Sequence, residues 1–389
     1  MKKILVLNLF PTVFPPTSGG TLRYYHVYHE LSRYYDTTLL SQTQRQRGEM
    51  ITYSPNFREY RVNRDPLHKE IKQKLFNGKS IYEHELIVNM MLSQHPTSYK
   101  KQFDLLYMTS DLIIHESPYL LGYDRYLGLD NKPRIYNSHN HEYVLANQIW
   151  KDGTSRIYLQ TVYYLEKKLI ECADLVFATS EIERASFSVM YDAAPNKVKL
   201  APNGIHPKDI IINKKTSHAN PRALFIGANY PPNIEAVECI IHHLADKCPT
   251  IQFMIAGSCC KPFKNIKKSN VHLLGKVTHK QKIKLFTDAD LAINPMFKGA
   301  GVNLKTLEFL SSGIPLFSTS FGIRGLNLID KKHYVNAEKK DFAKKLNKYS
   351  QDRKRLKAIS SAGQKYINAH YTWPKIAKSM KTEIEHILK

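Results

Sequence analysis

The segment Lys298-Gly-Ala-Gly-Val-Asn-Leu-Lys-Thr-Leu-Glu308 holds the residue types and spacing best suited to chemistry. It follows a predicted strand, opens on Gly299 and Gly301, and runs into a short helical stretch with Leu304, Leu307 and Leu310 on one side. Backbone amides at a helix start have no partner inside the helix and point outward, so such a turn can hold a phosphate or sugar hydroxyls, and glycine allows close approach. The same residues also fit a plain strand-turn-helix carrying a Lys305–Glu308 surface pair at i, i+3. Gly19 and Gly20 close the loop 11–20 between the first predicted strand and helix; they suit a bound diphosphate and, equally, a tight turn with positive φ. The spacing is not G-x-G-x-x-G, so a dinucleotide fingerprint is not supported. Asn137-Ser-His139-Asn-His141-Glu142 ends another predicted strand, where His139 suits binding of a hydroxyl or phosphate, or a solvated turn.

Two patterns imitate function. Asp288-Ala-Asp290 has the spacing of a divalent-metal carboxylate pair, but it lies at a helix end before a buried strand, and its Ala-Asp-Leu step recurs at Asp174; it reads as structural. No other cluster has metal-ligand spacing, so neither metal nor cofactor is expected. The stretch 261–284 carries eight lysines and no Asp or Glu. Its one aromatic, Phe263, gives no stacking platform, so nucleic acid is not an expected partner, and a membrane-facing or solvated surface fits better.

Positioning these residues requires alternating strands and helices. Strands are expected at 3–10, 37–41, 105–109, 134–138 and 175–179, then at 222–227, 252–256, 271–274, 291–295 and 315–318. Tyr24, Val27, Tyr28, Leu31, Tyr34 and Tyr35 form one helical stripe, and Ile234, Val237, Ile241 and Leu244 another. The expected organisation is a domain over 1–205, a polar linker 206–221, a second domain over 222–372 and a closing helix 373–389. Two Rossmann-like domains, their parallel sheets facing across a cleft, follow from the repeat, with ligands outside the carboxyl ends of strands.

The 389 residues, 42% hydrophobic and 23% charged, suffice for such cores. No apolar run is long enough for a membrane-spanning helix, and residues 4–10, interrupted by Asn8, read as a buried strand rather than a secretory signal. The five cysteines lack C-x-x-C spacing and read as reduced thiols of a cytoplasmic protein. The formal charge of +23 fits an anionic partner, such as a phosphorylated small molecule or an anionic leaflet, or else a Lys-rich surface that only reflects a biased genome.

In order along the chain, Gly19-Gly20, His139-Asn-x-Glu142, Ala201-Pro-Asn203-Gly204, Phe225-Ile-Gly227, Leu274-Gly-Lys-Val and the Gly299–Pro315 segment with Lys-x-x-Glu and Gly-Ile-Pro resemble the family-4-like GT-B glycosyltransferases nearly end to end. The resemblance implies a nucleotide diphosphate-sugar donor, retention, and a saccharide or lipid-linked saccharide acceptor in surface polysaccharide or other glycoconjugate assembly. It places the enzyme in the cytoplasm or peripherally at the membrane's inner face. It implies donor contacts at Gly19, Gly20, Gly227, Asn229, Asn233, Lys298, Gly299, Ala300, Gly301, Val302, Asn303, Leu304, Lys305 and Glu308, with Glu308 on the nucleotide ribose and His139, Lys305 and Glu308 as catalytic residues. It also implies a closing helix that crosses back to the first domain. Two departures stand out. Ala300 takes the place of a frequent second glutamate, and Ala228 and Asn233 that of a basic pair, leaving Lys298, Lys305 or Arg324 to meet the diphosphate. A nucleotide-sugar epimerase and a catalytically impaired scaffold binding an anionic partner are the alternative readings.

Overall fold

The computed structural model describes all residues except 13, 15–18, 45–47, 79–80, 126–127, 129–130, 215–217 and 300. Two units pack separately: Met1–Pro202 together with Pro374–Lys389, and Asn203–Trp373. Among the described residues the first unit contains β1 (Lys3–Leu7), β2 (Asp36–Thr43), β3 (Glu49–Ser54), β4 (Phe57–Asn63), β5 (Leu112–His115), β6 (Arg134–Asn137), β7 (Leu175–Ala178) and β8 (Val198–Leu200), in the sheet order β3-β4-β2-β1-β5-β6-β7-β8. Every neighbouring pair is parallel except β3 with β4. Helices cover both faces of a parallel sheet, so its central strands read as unbroken apolar runs; Ile4 through Leu7 and Leu112 through Ile114 are buried without alternation.

The second unit's sheet is wholly parallel, in the order β11-β10-β9-β12-β13-β14, from β9 (Arg222–Ile226), β10 (Gln252–Ala256), β11 (Val271–Gly275), β12 (Leu291–Asn294), β13 (Leu316–Ser318) and β14 (Val335–Asn336). Both units are thus α/β with parallel sheets. One backbone device recurs in them. Asp111, Asp174 and Asp290 each accept a neighbouring strand's first N–H, from Lys3, Arg134 and Arg222, at 2.7, 2.7 and 2.8 Å. That is the work of the repeated Asp-Leu step, and Asp288 meanwhile pairs with Lys284 at 2.8 Å. The D-x-D pattern is therefore occupied in holding strands and a helix face.

The expected strand 105–109 is corrected: these residues end the helix Ser98–Thr109, and the strand is β5, Leu112–His115. Tyr99, Phe103 and Tyr107, four apart, are buried, while Leu105 and Met108 are exposed. Helical spacing and a Thr97 side chain accepting the Lys100 N–H at 3.2 Å outweigh the local apolar run. Within the expected linker, Ile210 and Ile211 are half-buried against the second unit's core. Buried Asn213 donates to the carbonyls of Phe286 and Ala289 at 2.7 and 2.8 Å, satisfying the open end of the helix His279–Asp288.

Candidate active site

In the second unit the carboxyl ends of β9 and β12 carry the predicted residues. Beyond β9, a Cβ at Gly227 would lie 2.9 Å from Asn233 Cγ, and one at Gly257 would lie 2.0 Å from the Gly227 carbonyl oxygen, so side chains larger than hydrogen do not fit there. Asn233 sits in the first turn of the helix Pro231–Cys239 and donates to the Ala228 carbonyl at 3.0 Å, while Asn229 N–H reaches Ser258 Oγ at 2.8 Å. Beyond β12 the chain turns at Gly299 (φ 122°) and Gly301 (φ 63°) into the helix Leu304–Ser311. Ala300 lies outside the described residues.

Asn303, the helix N-cap, makes no capping hydrogen bond; its amide is turned to the Gly322 carbonyl at 3.3 Å. That carbonyl also accepts from Asn294 at 3.0 Å and Thr306 Oγ1 at 2.8 Å, so one oxygen ties the end of β12, the helix start and the turn Phe321–Ile323 together. Asn203 fixes the loop from the other side, donating to the Val302 carbonyl at 3.0 Å. The result is a helix start whose outward amides are held in place by residues behind them.

The three candidate cations separate. Lys298 is largely exposed and pairs with Glu235 at 3.4 Å. Lys305 turns inward: its ammonium donates to Asn233 Oδ1 at 2.6 Å, lies 4.2 Å from the Phe225 ring centre, and has Met296 Sδ at 3.9 Å. Burial among these groups pulls its pKa down to about 7. Arg324 stacks on Phe321 at 4.2 Å and donates to the Phe321 carbonyl at 3.1 Å. A Cβ at Gly299 would come within 3.2 Å of its Nη2, and burial lowers its pKa to about 10. Lys305 thus stands beside Asn233, one of the two positions where the basic pair is missing. Glu308 does not pair with Lys305 but with Lys282 of the preceding helix, at 2.7 Å, and remains one-quarter exposed.

In the first unit, Gly19 and Gly20 open the helix Gly19–Leu31, so they are helical residues rather than a turn, while 15–18 before them lie outside the described residues. His139 Nε2 is hydrogen-bonded to Glu116 Oε2, and the Tyr24 ring lies 4.4 Å from the imidazole. His141 and Glu142 turn the other way, into a buried cluster with Glu166, Tyr119 and Tyr191. Burial pushes the Glu142 pKa up to about 8 and that of Glu166 to about 7.

Residues 237–382 match the family described as Glycosyl transferase-like. Across 99% of both chains the structure is similar to sucrose-phosphate synthase from Thermosynechococcus elongatus, with a TM-score of 0.77 at 15% identity. Anabaena HepE in complex with UDP-glucose is similar over 99% of this chain and 100% of that one (TM-score 0.69, 13% identity). So is an E. coli trehalose-6-phosphate protein bound with UDP-2-fluoro glucose, over 99% of both chains (TM-score 0.69, 11% identity). This chain carries a glycosyl transferase-like domain on a GT-B fold. A Klebsiella pneumoniae chain described as an uncharacterized 44.6 kDa protein in cps region is 24% identical over 70% of this chain and 74% of that one.

The glycosyl transferase-like domain contains the Gly299–Leu304 turn, Lys305, Glu308 and Arg324. Sequence reasoning missed Lys282, the carbonyl hub at Gly322 with Asn294 and Thr306, and, in the first unit, Glu116 and Arg23. Glu116 follows β5 directly, as His139 follows β6 by one residue, so strand-end polar residues were the available signal. The misplaced strand 105–109 hid it.

Proposed function

We propose that this chain transfers a sugar from a nucleotide diphosphate-sugar to an acceptor hydroxyl. The observation that carries the reading is the inward-turned Lys305 ammonium, anchored on Asn233 beside a helix start whose N-cap side chain is turned away, with Arg324 against Gly299. Two cations from different segments beside one helix start suit a diphosphate and stabilise its charge as it departs. The UDP-glucose complex of the structurally similar HepE supports the choice of donor.

In the transfer, the bond from the sugar's anomeric carbon to the diphosphate oxygen breaks, with its electron pair leaving on the diphosphate. The acceptor oxygen bonds to the same carbon on the same face, giving retention, and its proton passes to the leaving oxygen. Lys305 and Arg324 take the charge-neutralising part that a metal plays elsewhere, Glu308 binds the ribose hydroxyls, and His139 orients the sugar or acceptor. The likeness to a chain in a cps region and the charge of +23 support an acceptor in surface polysaccharide assembly, held at an anionic membrane.

Thermal stability with UDP, GDP, TDP, ADP and CMP, on the native protein and on Glu308→Ala, tests the reading. A ligand at about 100 times its dissociation constant stabilises by about 2.7 kcal/mol. The expected result is one nucleoside diphosphate that raises the melting temperature of the native protein and not of the variant. No response to any of them, with equal stabilisation of both proteins by a polyanion, would replace it by the scaffold reading. Release of an isomerised sugar without acceptor would replace it by epimerisation.

A further inference from the structure

At the carboxyl end of the first unit's sheet a chain of buried polar groups ends on His139. Arg23, 2% exposed, donates from one guanidinium nitrogen to the carbonyls of Ala201 and Pro202 at 2.9 and 3.2 Å, and from the other to Asn137 Oδ1 at 2.9 Å. That bond fixes which way the Asn137 amide faces, and its Nδ2 donates to Glu116 Oε1 at 2.7 Å. Tyr28 hydroxyl donates to the same oxygen. Glu116, 2% exposed, then has Oε2 for His139 Nε2.

We propose that Glu116 is a positioning residue that fixes the tautomer of His139, placing the proton on Nε2 and presenting Nδ1 as the acceptor toward a hydroxyl of the sugar or acceptor. The proposal rests on the sugar-transfer reading for the identity of that hydroxyl, though not for the tautomer. Its logic is donor counting. A carboxylate only accepts, so the nitrogen facing it carries hydrogen, and in a neutral imidazole the other nitrogen then has the lone pair. Among the described residues, Tyr28, Tyr24 and Arg23 are titratable groups close to this pair, the Tyr24 ring lying 4.4 Å from the imidazole and tilted 42° to it, with Glu142 and Glu183 acting on Tyr24 and Arg23 from further off. An orienting carboxylate of this kind acts through the imidazole without touching substrate.

The same counting predicts what Glu116→Gln does. Asn137 and Tyr28 both donate toward Oε1, so the glutamine oxygen belongs on that side and its NH2 faces His139. Nε2 must then accept, and the hydrogen moves to Nδ1 with little change in shape.

Nitrogen-15 NMR of the His139 side chain in the full chain reads the tautomer directly, without need of any substrate. The expected native spectrum has Nδ1 unprotonated and Nε2 protonated, reversed in Glu116→Gln. In sugar transfer, Glu116→Gln should lower kcat by about a hundredfold or more, leave the melting shift with nucleoside diphosphate unchanged, and recover part of the rate in Glu116→Asp. Native His139 with its proton on Nδ1 would overturn the proposal whether or not the variant folds. A reversed tautomer with kcat within twofold of native would overturn the positioning role. If the native protein transfers no sugar, the sugar-transfer reading fails while the spectrum still decides the tautomer.

Discussion

Lys305 is where a single side chain makes the sharpest prediction. Burial holds its pKa near 7, far below the ordinary range for lysine. The folded protein therefore binds fewer protons than the unfolded chain between about pH 7 and 10, and this residue's contribution to stability rises with pH across that window. An anion bound beside it favours the charged form, so nucleotide binding has the opposite dependence: affinity should fall by up to about tenfold per pH unit as pH rises above 7. Calorimetry at pH 8 in two buffers of different ionisation enthalpy should show proton uptake on binding. Lys305→Arg, always charged, should abolish both the uptake and the slope. The helical spacing of Lys305 and Glu308 suggested a surface pair; packing instead sends one to Asn233 and the other to Lys282. Glu308→Gln should weaken donor binding by about tenfold or more, since a hydrogen bond to a charged group contributes about 1.5–3 kcal/mol.

Among the elements, the helix Leu159–Cys172 brings Glu166 beneath the start of the helix Glu142–Ile149, where it accepts the N–H groups of Glu142 and Tyr143, both at 2.9 Å. Tyr136 and Tyr191 hydroxyls donate to it as well, at 2.9 and 2.8 Å. Glu142 beside it accepts from Tyr119 at 3.1 Å and has fewer donors, so of the two carboxyl groups it is the one that keeps a proton. Raised carboxyl pKa values make the folded state bind more protons than the unfolded chain, so the stability they supply is full below about pH 4 and lost as pH rises through about 7 to 8. Glu142→Gln should flatten the decline in melting temperature between pH 6 and 9. Glu166→Gln sets an amide donor against several others and should cost about 1–3 kcal/mol, visible as a fall of several degrees at neutral pH.

For the molecule as a whole, the first unit is assembled from both ends of the chain. The helix Trp373–Ile387 buries Ile376, Met380 and Ile384 and meets the first unit through Lys199–Glu383 at 3.4 Å and the Lys381 ammonium over Tyr34 at 5.4 Å. Deleting 374–389 removes the buried Ile376, Met380 and Ile384 side chains, at about 1.5–3 kcal/mol each, and should lower the first unit's unfolding temperature in calorimetry by more than ten degrees or abolish its transition. The excess positive charge predicts binding to vesicles rich in phosphatidylglycerol at low salt and release at about 0.5 M salt, read by co-sedimentation. No sedimentation at low salt would remove the membrane from the proposal.

The two parallel-sheet units, the strand-turn-helix at Gly299 to Glu308 and the structural use of Asp290 were all legible in the sequence, because apolar periodicity, glycine pairs and helix starts are local signals. The strand at 105–109 failed for the same reason: four apolar residues in a row fit either element, and only the partner, β1, selected Leu112–His115. Which cation turns inward, which carboxylate Lys282 meets, and the path from Arg23 through Asn137 and Glu116 to His139 were decided by tertiary structure. Those contacts join residues separated by 21 to 178 positions. Burying polar groups is tolerable only when each finds its partner, and that matching is made by packing across strands, with no periodic trace along the chain.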